Sequence, residues 1–392
     1  MRTGMKALVV SGAFKDVFSP LEATAMIQDV FSRHGYETYG VPFCDGGEYT
    51  FEVLKEMIPQ PQVITPEGVI SPAGIPKKSR YLIDGEKTAH IVSSEILRLL
   101  PKEDAYKNPL VLTDYGFGQL IGDALGRGIR KLVLYLGGTS TVSFGMGMIQ
   151  SLGAKLYDED GGVLPEPVVL QDLKHLSRIQ VDSVLYKDIS VTVVADGNAH
   201  ADEMKGITSL KVGKAYQKER DHIVQETEEI KARIIQVTGQ GTERDFSGAA
   251  GGLRYGIDSL FQAEYLPGGP YFIDLLKIKE KIKDCDLVVT GEGRYDNTAC
   301  GKAPASVAAM AKSFGKPVVL VCGQIEKSMR SSCDGGIIRD EPEAGDLGIS
   351  AIVTCQEYYD KHPLEGSYAE LIDQYRTLTP IILDSLIGRL RP

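Results

Sequence analysis

Leu287-Val288-Val289-Thr290-Gly291-Glu292-Gly293-Arg294-Tyr295-Asp296, followed by Gly301-Lys302-Ala303-Pro304, contains the unit from which the chain is built. Residues 287–290 are too few and too rich in branched side chains for a helix, and predict a strand buried on both faces. Gly291 and Gly293 then predict a sharp turn in which backbone approaches a ligand with no Cβ in the way. Pro304-Ala305-Ser306-Val307-Ala308-Ala309-Met310-Ala311 is strongly helix-forming, and its proline suits a first turn. Lys302 stands just ahead of that helix, where unpaired N–H groups and a fixed cation suit a phosphate. Glu292 and Asp296 fall at the carboxyl end of the strand, the usual ligand edge of open α/β sheets, where they suit a metal or the polarising of a hydroxyl. A plain connecting turn carries the same letters. Neither standard nucleotide motif is complete: Gly301-Lys302 lacks both the following Ser/Thr and the upstream Gly of a P-loop, and Asp296 stands where a dinucleotide fingerprint has its third Gly.

The same strand-loop-helix order recurs along the chain. A strand over 5–10 leads to Ser19-Pro20-Leu21-Glu22, a capping-box start for a helix that Gly35 stops. A strand over 37–41 enters the polar loop Asp45-Gly46-Gly47-Glu48, and a helix is expected over 89–100. A strand at 110–112 and a helix over 119–126 follow. The strand at 131–136 runs into Gly137-Gly138-Thr139-Ser140-Thr141, whose small residues suit either an anion cradle or a tightly packed helix entry. A strand over 189–195 ends at Asp196, and residues 216–236 predict a charged amphipathic helix with a solvated face. Strands at 317–322 and 349–353 and a final helix over 367–388 complete the pattern. Such repetition predicts an α/β protein with largely parallel sheets. At 392 residues, two domains are expected. Borders near 105 and 280 give one domain from 1–105 plus 280–392 around an inserted one from 106–279.

A formal charge of −10 argues against nucleic acid or an anionic membrane as a partner. Neither a secretory signal nor a long apolar span is visible, so a cytoplasmic location is expected. The six cysteines have no CxxC spacing and read as reduced thiols, and the six histidines form no metal-binding pattern.

Several motifs together resemble the bacterial glycerate kinases of the two-domain α/β type. They are residues 11–15 with Ser19, Asp45-Gly46-Gly47-Glu48-Tyr49-Thr50, Tyr115-Gly116-Phe117-Gly118-Gln119-Leu120-Ile121, residues 137–141, residues 147–154, Ser247-Gly248-Ala249-Ala250-Gly251-Gly252, and residues 290–296 with Gly301-Lys302. The resemblance implies a flavodoxin-like doubly wound domain, an inserted α/β domain and a cleft between them. It also implies transfer of the γ-phosphoryl of ATP, with Mg²⁺, to a hydroxyl of glycerate or a related small hydroxy acid or polyol. Asp196, Lys15, Arg294 and Lys302 are then candidates for catalysis, the cations facing phosphate or carboxylate. Glu292 and Asp296 are candidates for the metal. Asp45, Gly46, Gly47, Glu48, Gly137, Gly138, Thr139, Ser140, Gly291 and Gly293 would line the binding loops. A homodimer is a further expectation.

Four departures fall in these loops. Gly12 replaces an Asp, Val142-Ser143-Phe144 replaces Asn-Asp-Gly, Asn198 replaces the second acid of Asp-x-Asp, and 211–220 replaces a glycine-rich segment with a more charged one. Lost polar groups, and apolar surface added by Val142 and Phe144, predict that glycerate is a poorer acceptor than a larger or less polar hydroxy compound. A non-catalytic anion-binding relative stays open as an alternative. A nicotinamide-dependent oxidoreductase is the weaker one, lacking a complete fingerprint.

Overall fold

The computed structural model describes residues 4–99, 107–182, 186–295, 303–326, 334–339 and 348–390. The chain folds as two compact units, Met1–Asp45 with Gly269–Pro392, and Gly46–Gly268. In chain order the strands are β1 (Lys6–Ser11), β2 (Glu37–Pro42), β3 (Gln62–Ile64), β4 (Tyr81–Ile83), β5 (Thr88–Val92), β6 (Lys131–Leu136), β7 (Lys155–Tyr157), β8 (Arg178–Gln180), β9 (Ser190–Ala195), β10 (Ala263–Pro267), β11 (Leu287–Tyr295), β12 (Val318–Ile325), β13 (Ile337–Arg339) and β14 (Ala351–Thr354).

The first unit is a six-stranded sheet in the order β13-β14-β12-β11-β1-β2. All pairs are parallel except β13 with β14. Residues 7–10 of β1 and 288–289 of β11 are buried, as continuous apolar strands between covered faces must be. The helix Pro20–Arg33 begins with the capping box: Ser19 N–H donates to Glu22 Oε2 at 2.8 Å and Glu22 N–H to Ser19 Oγ at 3.3 Å. Ala23, Ile27, Val30 and Phe31 recur on one face and enter a core shared with Val9 and Val289. The helix Tyr368–Arg389 has the same box in Ser367 and Glu370, and places Ile382, Leu383, Leu386 and Ile387 in that core. Within the unit, the parallel strands run 2-1-3-4-5, the flavodoxin-like order. The chain goes from β1 to β2 on one side and then to β11, β12 and β14 on the other, so strand order reverses between β1 and β11.

The second unit carries the sheet β10-β9-β6-β5-β4-β3 and the small pair β7-β8. There β5, β6, β9 and β10 are parallel and progress in one direction without reversal, while β4 and β3 add antiparallel. Its core is separate, drawn from residues between 64 and 261.

Four sequence expectations require correction. The border near 105 falls inside the second unit, because β5 pairs with β6 from Thr88↔Lys131 to Val92↔Tyr135, and the return crossing is at 268–269 rather than 280. The helix expected over 89–100 is β5 followed by the short helix Ser93–Leu97, since Ala89, Ile91 and Val92 are wholly buried in the sheet. Residues 110–112 form no strand: Pro109–Val111 is a 3₁₀ turn in which Asn108 Oδ1 accepts from Leu110 N–H. The strand at 287 does not stop at 290. It runs to Tyr295, with Glu292 opposite Cys322 and Arg294 opposite Gln324 on β12.

Candidate active site

In the first unit the candidate side chains Lys15, Glu292 and Arg294 gather where the strand order reverses. After β1, the loop is closed by two backbone bonds, Phe14 N–H to Phe18 O at 2.9 Å and Phe18 N–H to Phe14 O at 2.8 Å. The two rings meet edge-on at 6.2 Å and are both buried. That turn leaves Lys15 exposed between two anchored residues, with Asp16 in the left-handed region at φ +64. The glycines of β11 serve this approach rather than a turn of their own. A Cβ on Gly291 would lie 2.2 Å from Ser11 Oγ, and one on Gly293 would lie 2.9 Å from Lys15 N. The β1 loop therefore rides on β11 only because both positions lack a side chain. Lys15, Glu292 and Arg294 line one cavity of about 470 Å³, together with Tyr359, Leu371 and Tyr375. Asp296 and Lys302 lie outside the described residues.

In the second unit, β5, β6 and β9 end together, and the loops that follow interlock. Ser93 Oγ donates to Gly137 O at 3.0 Å and accepts from Gly137 N–H at 3.1 Å. Ser140 N–H donates to Leu97 O at 2.8 Å and Ser140 Oγ accepts from Leu99 N–H at 3.0 Å. At least two of the loop's N–H groups are thus engaged within the protein. The Asp196 carboxylate lies over Gly137, where a Cβ would be 2.2 Å from its Oδ2 and 2.7 Å from Gly47 Cα. Glu48 packs on Gly138 and pairs with Arg98 at 3.2 Å. Gly46 meets the backbone of Val194. The structure so brings Gly46, Gly47, Glu48, Gly137, Gly138 and Asp196 to one sheet edge; Asp45 ends the first unit's β2 segment.

Two buried charges here escaped the sequence reading. Lys211, last residue of the helix Met204–Lys211, donates from Nζ to Thr139 Oγ1 at 3.1 Å and to Thr141 O at 2.7 Å. Burial, with repulsion from Lys107, pushes its ammonium down to about 7 against the opposing pull of Asp196. Asp114 is wholly buried and accepts from Gly145 N–H and Met148 N–H, both at 2.8 Å, fixing the entry to the helix Met146–Ser151. Burial pushes its carboxyl up to about 6, against those backbone bonds.

Two of the family departures, Val142-Ser143-Phe144 and Asn198, are structural adjustments. Val142 and Phe144 are completely buried, Phe144 edge-on to Tyr255 at 5.8 Å, and Ser143 Oγ donates to Leu112 O at 3.1 Å. They add core, not acceptor surface, so the argument from apolar surface for a less polar acceptor falls. Asn198 bonds Asp245 Oδ1 at 2.9 Å and accepts from Phe246 N–H at 2.9 Å, bracing its loop.

Among the described residues no three metal-ligating side chains converge. No helix among the described residues is long and apolar enough to cross a membrane.

The sequence profile of the Glycerate kinase family matches residues 7–339. A glycerate kinase of Haemophilus influenzae is 32% identical over 360 residues, covering 88% of this chain and 92% of the relative. A glycerate 2-kinase of Escherichia coli K12 is 31% identical over 337 residues, covering 82% and 86%. A crystal structure described as that of a glycerate kinase 2 from Salmonella typhimurium LT2 superposes with a TM-score of 0.70 at 23% identity, covering 99% of this chain and 98% of that one, which bears on the fold. The chain belongs to the glycerate kinase family and is an enzyme of the phosphotransferase class.

Proposed function

We propose that the protein transfers the γ-phosphoryl group of ATP to a hydroxyl of glycerate or a closely related small hydroxy acid. The observation that carries this reading is the meeting of Lys15, Glu292 and Arg294 on one cavity at the point where strand order reverses. Open α/β sheets hold ligands at such points, and phosphoryl transfer asks mainly for positioning and charge neutralisation. Lys15 and Arg294 supply cations to phosphate oxygens. Glu292, with Asp296, would hold a magnesium ion, which when bound neutralises charge on the transferring group. Asp196 is assigned to the acceptor hydroxyl: it orients the oxygen and takes its proton. Gly137 and Gly138, bare of side chains, let Asp196 and Glu48 close on the loop, and Thr139 and Ser140 set its shape. Support for the acceptor class comes from the named relatives and from the finding that Val142 and Phe144 do not widen the site.

ADP release measured with ATP, Mg²⁺ and a panel of hydroxy acids and polyols tests the proposal. D-Glycerate, or a hydroxy acid of similar size, is expected to give the highest kcat/KM, about 10⁴ M⁻¹s⁻¹ or above. Absence of acceptor-dependent ADP release from folded protein would sink it.

A further inference from the structure

The cavity of the first unit is chemically divided. The strand ends contribute Lys15, Glu292 and Arg294, whereas the helices Gln356–Lys361 and Tyr368–Arg389 contribute Tyr359, Leu371 and Tyr375. At about 470 Å³ it falls within the ordinary range for organic ligand sites, far more room than a three-carbon acid needs. A fully polar acceptor would also gain nothing from the apolar half.

The aromatic wall is fixed in place. Tyr359 and Tyr375 meet edge-on at 4.8 Å, and Tyr359 Oη shares a hydrogen bond with Thr379 Oγ1 at 2.9 Å. Arg376 reaches Glu22 from its two terminal guanidinium nitrogens, at 3.0 and 3.3 Å, and lies over Phe18, tying this helix to the loop that bears Lys15. A ligand complementary to this cavity is flat and apolar at one end and anionic at the other. We propose that the wall of Tyr359, Leu371 and Tyr375 holds the purine base of the phosphoryl donor, whose phosphates extend to Lys15 and Arg294. This rests on the kinase reading and deepens it. The profile of the family ends at residue 339, before these helices begin.

Calorimetric titration of the full chain with the non-hydrolysable donor AMP-PNP, with inorganic tripolyphosphate and with D-glycerate, each with Mg²⁺, tests the assignment in wild type, Tyr375→Ala and Tyr375→Phe. Base–aromatic stacking predicts that Tyr375→Ala weakens AMP-PNP about tenfold or more, leaves tripolyphosphate and glycerate unchanged, and is rescued by Tyr375→Phe. AMP-PNP affinity within twofold of wild type in the alanine variant overturns the proposal. A loss shared equally by tripolyphosphate overturns it as well, and a loss confined to glycerate makes the cavity the acceptor site instead. Wild type that binds no AMP-PNP and releases no ADP defeats the kinase reading itself; wild type that turns over normally with an unaffected Tyr375→Ala variant defeats the base assignment alone.

Discussion

Lys211 shows what a single buried cation imposes on its surroundings. Its ammonium titrates near 7 in the folded protein against about 10.4 in an unfolded chain, so between those values the unfolded state binds more protons and stability rises with pH. The stabilising trend starts at the folded value and is complete near the unfolded one. Wild-type protein should therefore gain stability relative to Lys211→Met as pH goes from 7 to 9, read from urea midpoints; parallel curves for the two proteins would remove Lys211 as the cause. Nothing adjacent in sequence announces this residue, because its partners Thr139 and Thr141 lie about seventy positions away. Ser19 with Glu22 and Ser367 with Glu370 are the opposite case: each bond spans three residues, and local spacing suffices to find it. Lys15, Glu292 and Arg294 were legible as chemistry-bearing residue types at strand ends. Their shared cavity was not, since it depends on how the parallel strands are ordered. Lys15→Ala is expected to lower kcat/KM by about 10²-fold, the scale of one lost charge-stabilising group, with thermal stability nearly unchanged because the side chain is exposed; near-normal turnover would take Lys15 out of the site.

At the scale of elements, packing and charge can be ranked by magnitude. The helix Tyr368–Arg389 is held by the Arg376–Glu22 pair, both side chains close to half exposed, and by Leu383, almost fully buried. Exposed pairs are worth about 0–1 kcal/mol, whereas deleting a buried leucine side chain costs about 2–5 kcal/mol. Denaturant unfolding should thus separate Arg376→Ala from Leu383→Ala by that margin, and equal losses would show that the ion pair is the true anchor. The loop over 247–252 makes a sharper case. Gly251 has φ +75 and any Cβ there would lie 2.0 Å from Thr141 O, the oxygen that Lys211 holds. Gly251→Ala must both strain the backbone and displace Thr141, a cost of about 1–3 kcal/mol from the conformation alone. The glycines of this loop are plain in the sequence but their reason is not, because a close approach to residue 141 is a tertiary fact. Residues 89–92 are a like case, where β-branched residues beside helix formers fit either periodicity until the neighbouring strand decides.

For the whole molecule, the two units differ in how the chain supplies them. The second is one continuous segment with its own sheet and its own core. Its ends also leave from one corner of that sheet: Gly46 rests on the backbone of Val194, and Pro267 pairs with Ala195, the next residue along β9. An insertion with neighbouring ends needs no part of its host to close its strand order. The first unit is the reverse case, because β1 lies between β2 and β11, so residues 1–45 have only two strands until the segment after 269 arrives. A two-stranded parallel fragment has no means of burying both faces. A fragment spanning 46–268 is accordingly expected to fold alone with a cooperative thermal transition. A peptide of residues 1–45 should stay unstructured until a fragment of 269–392 is added, whose β11 receives β1. Circular dichroism and dispersed amide resonances of the three species read this directly; an unfolded 46–268 fragment would mean that its core does not suffice without the first unit.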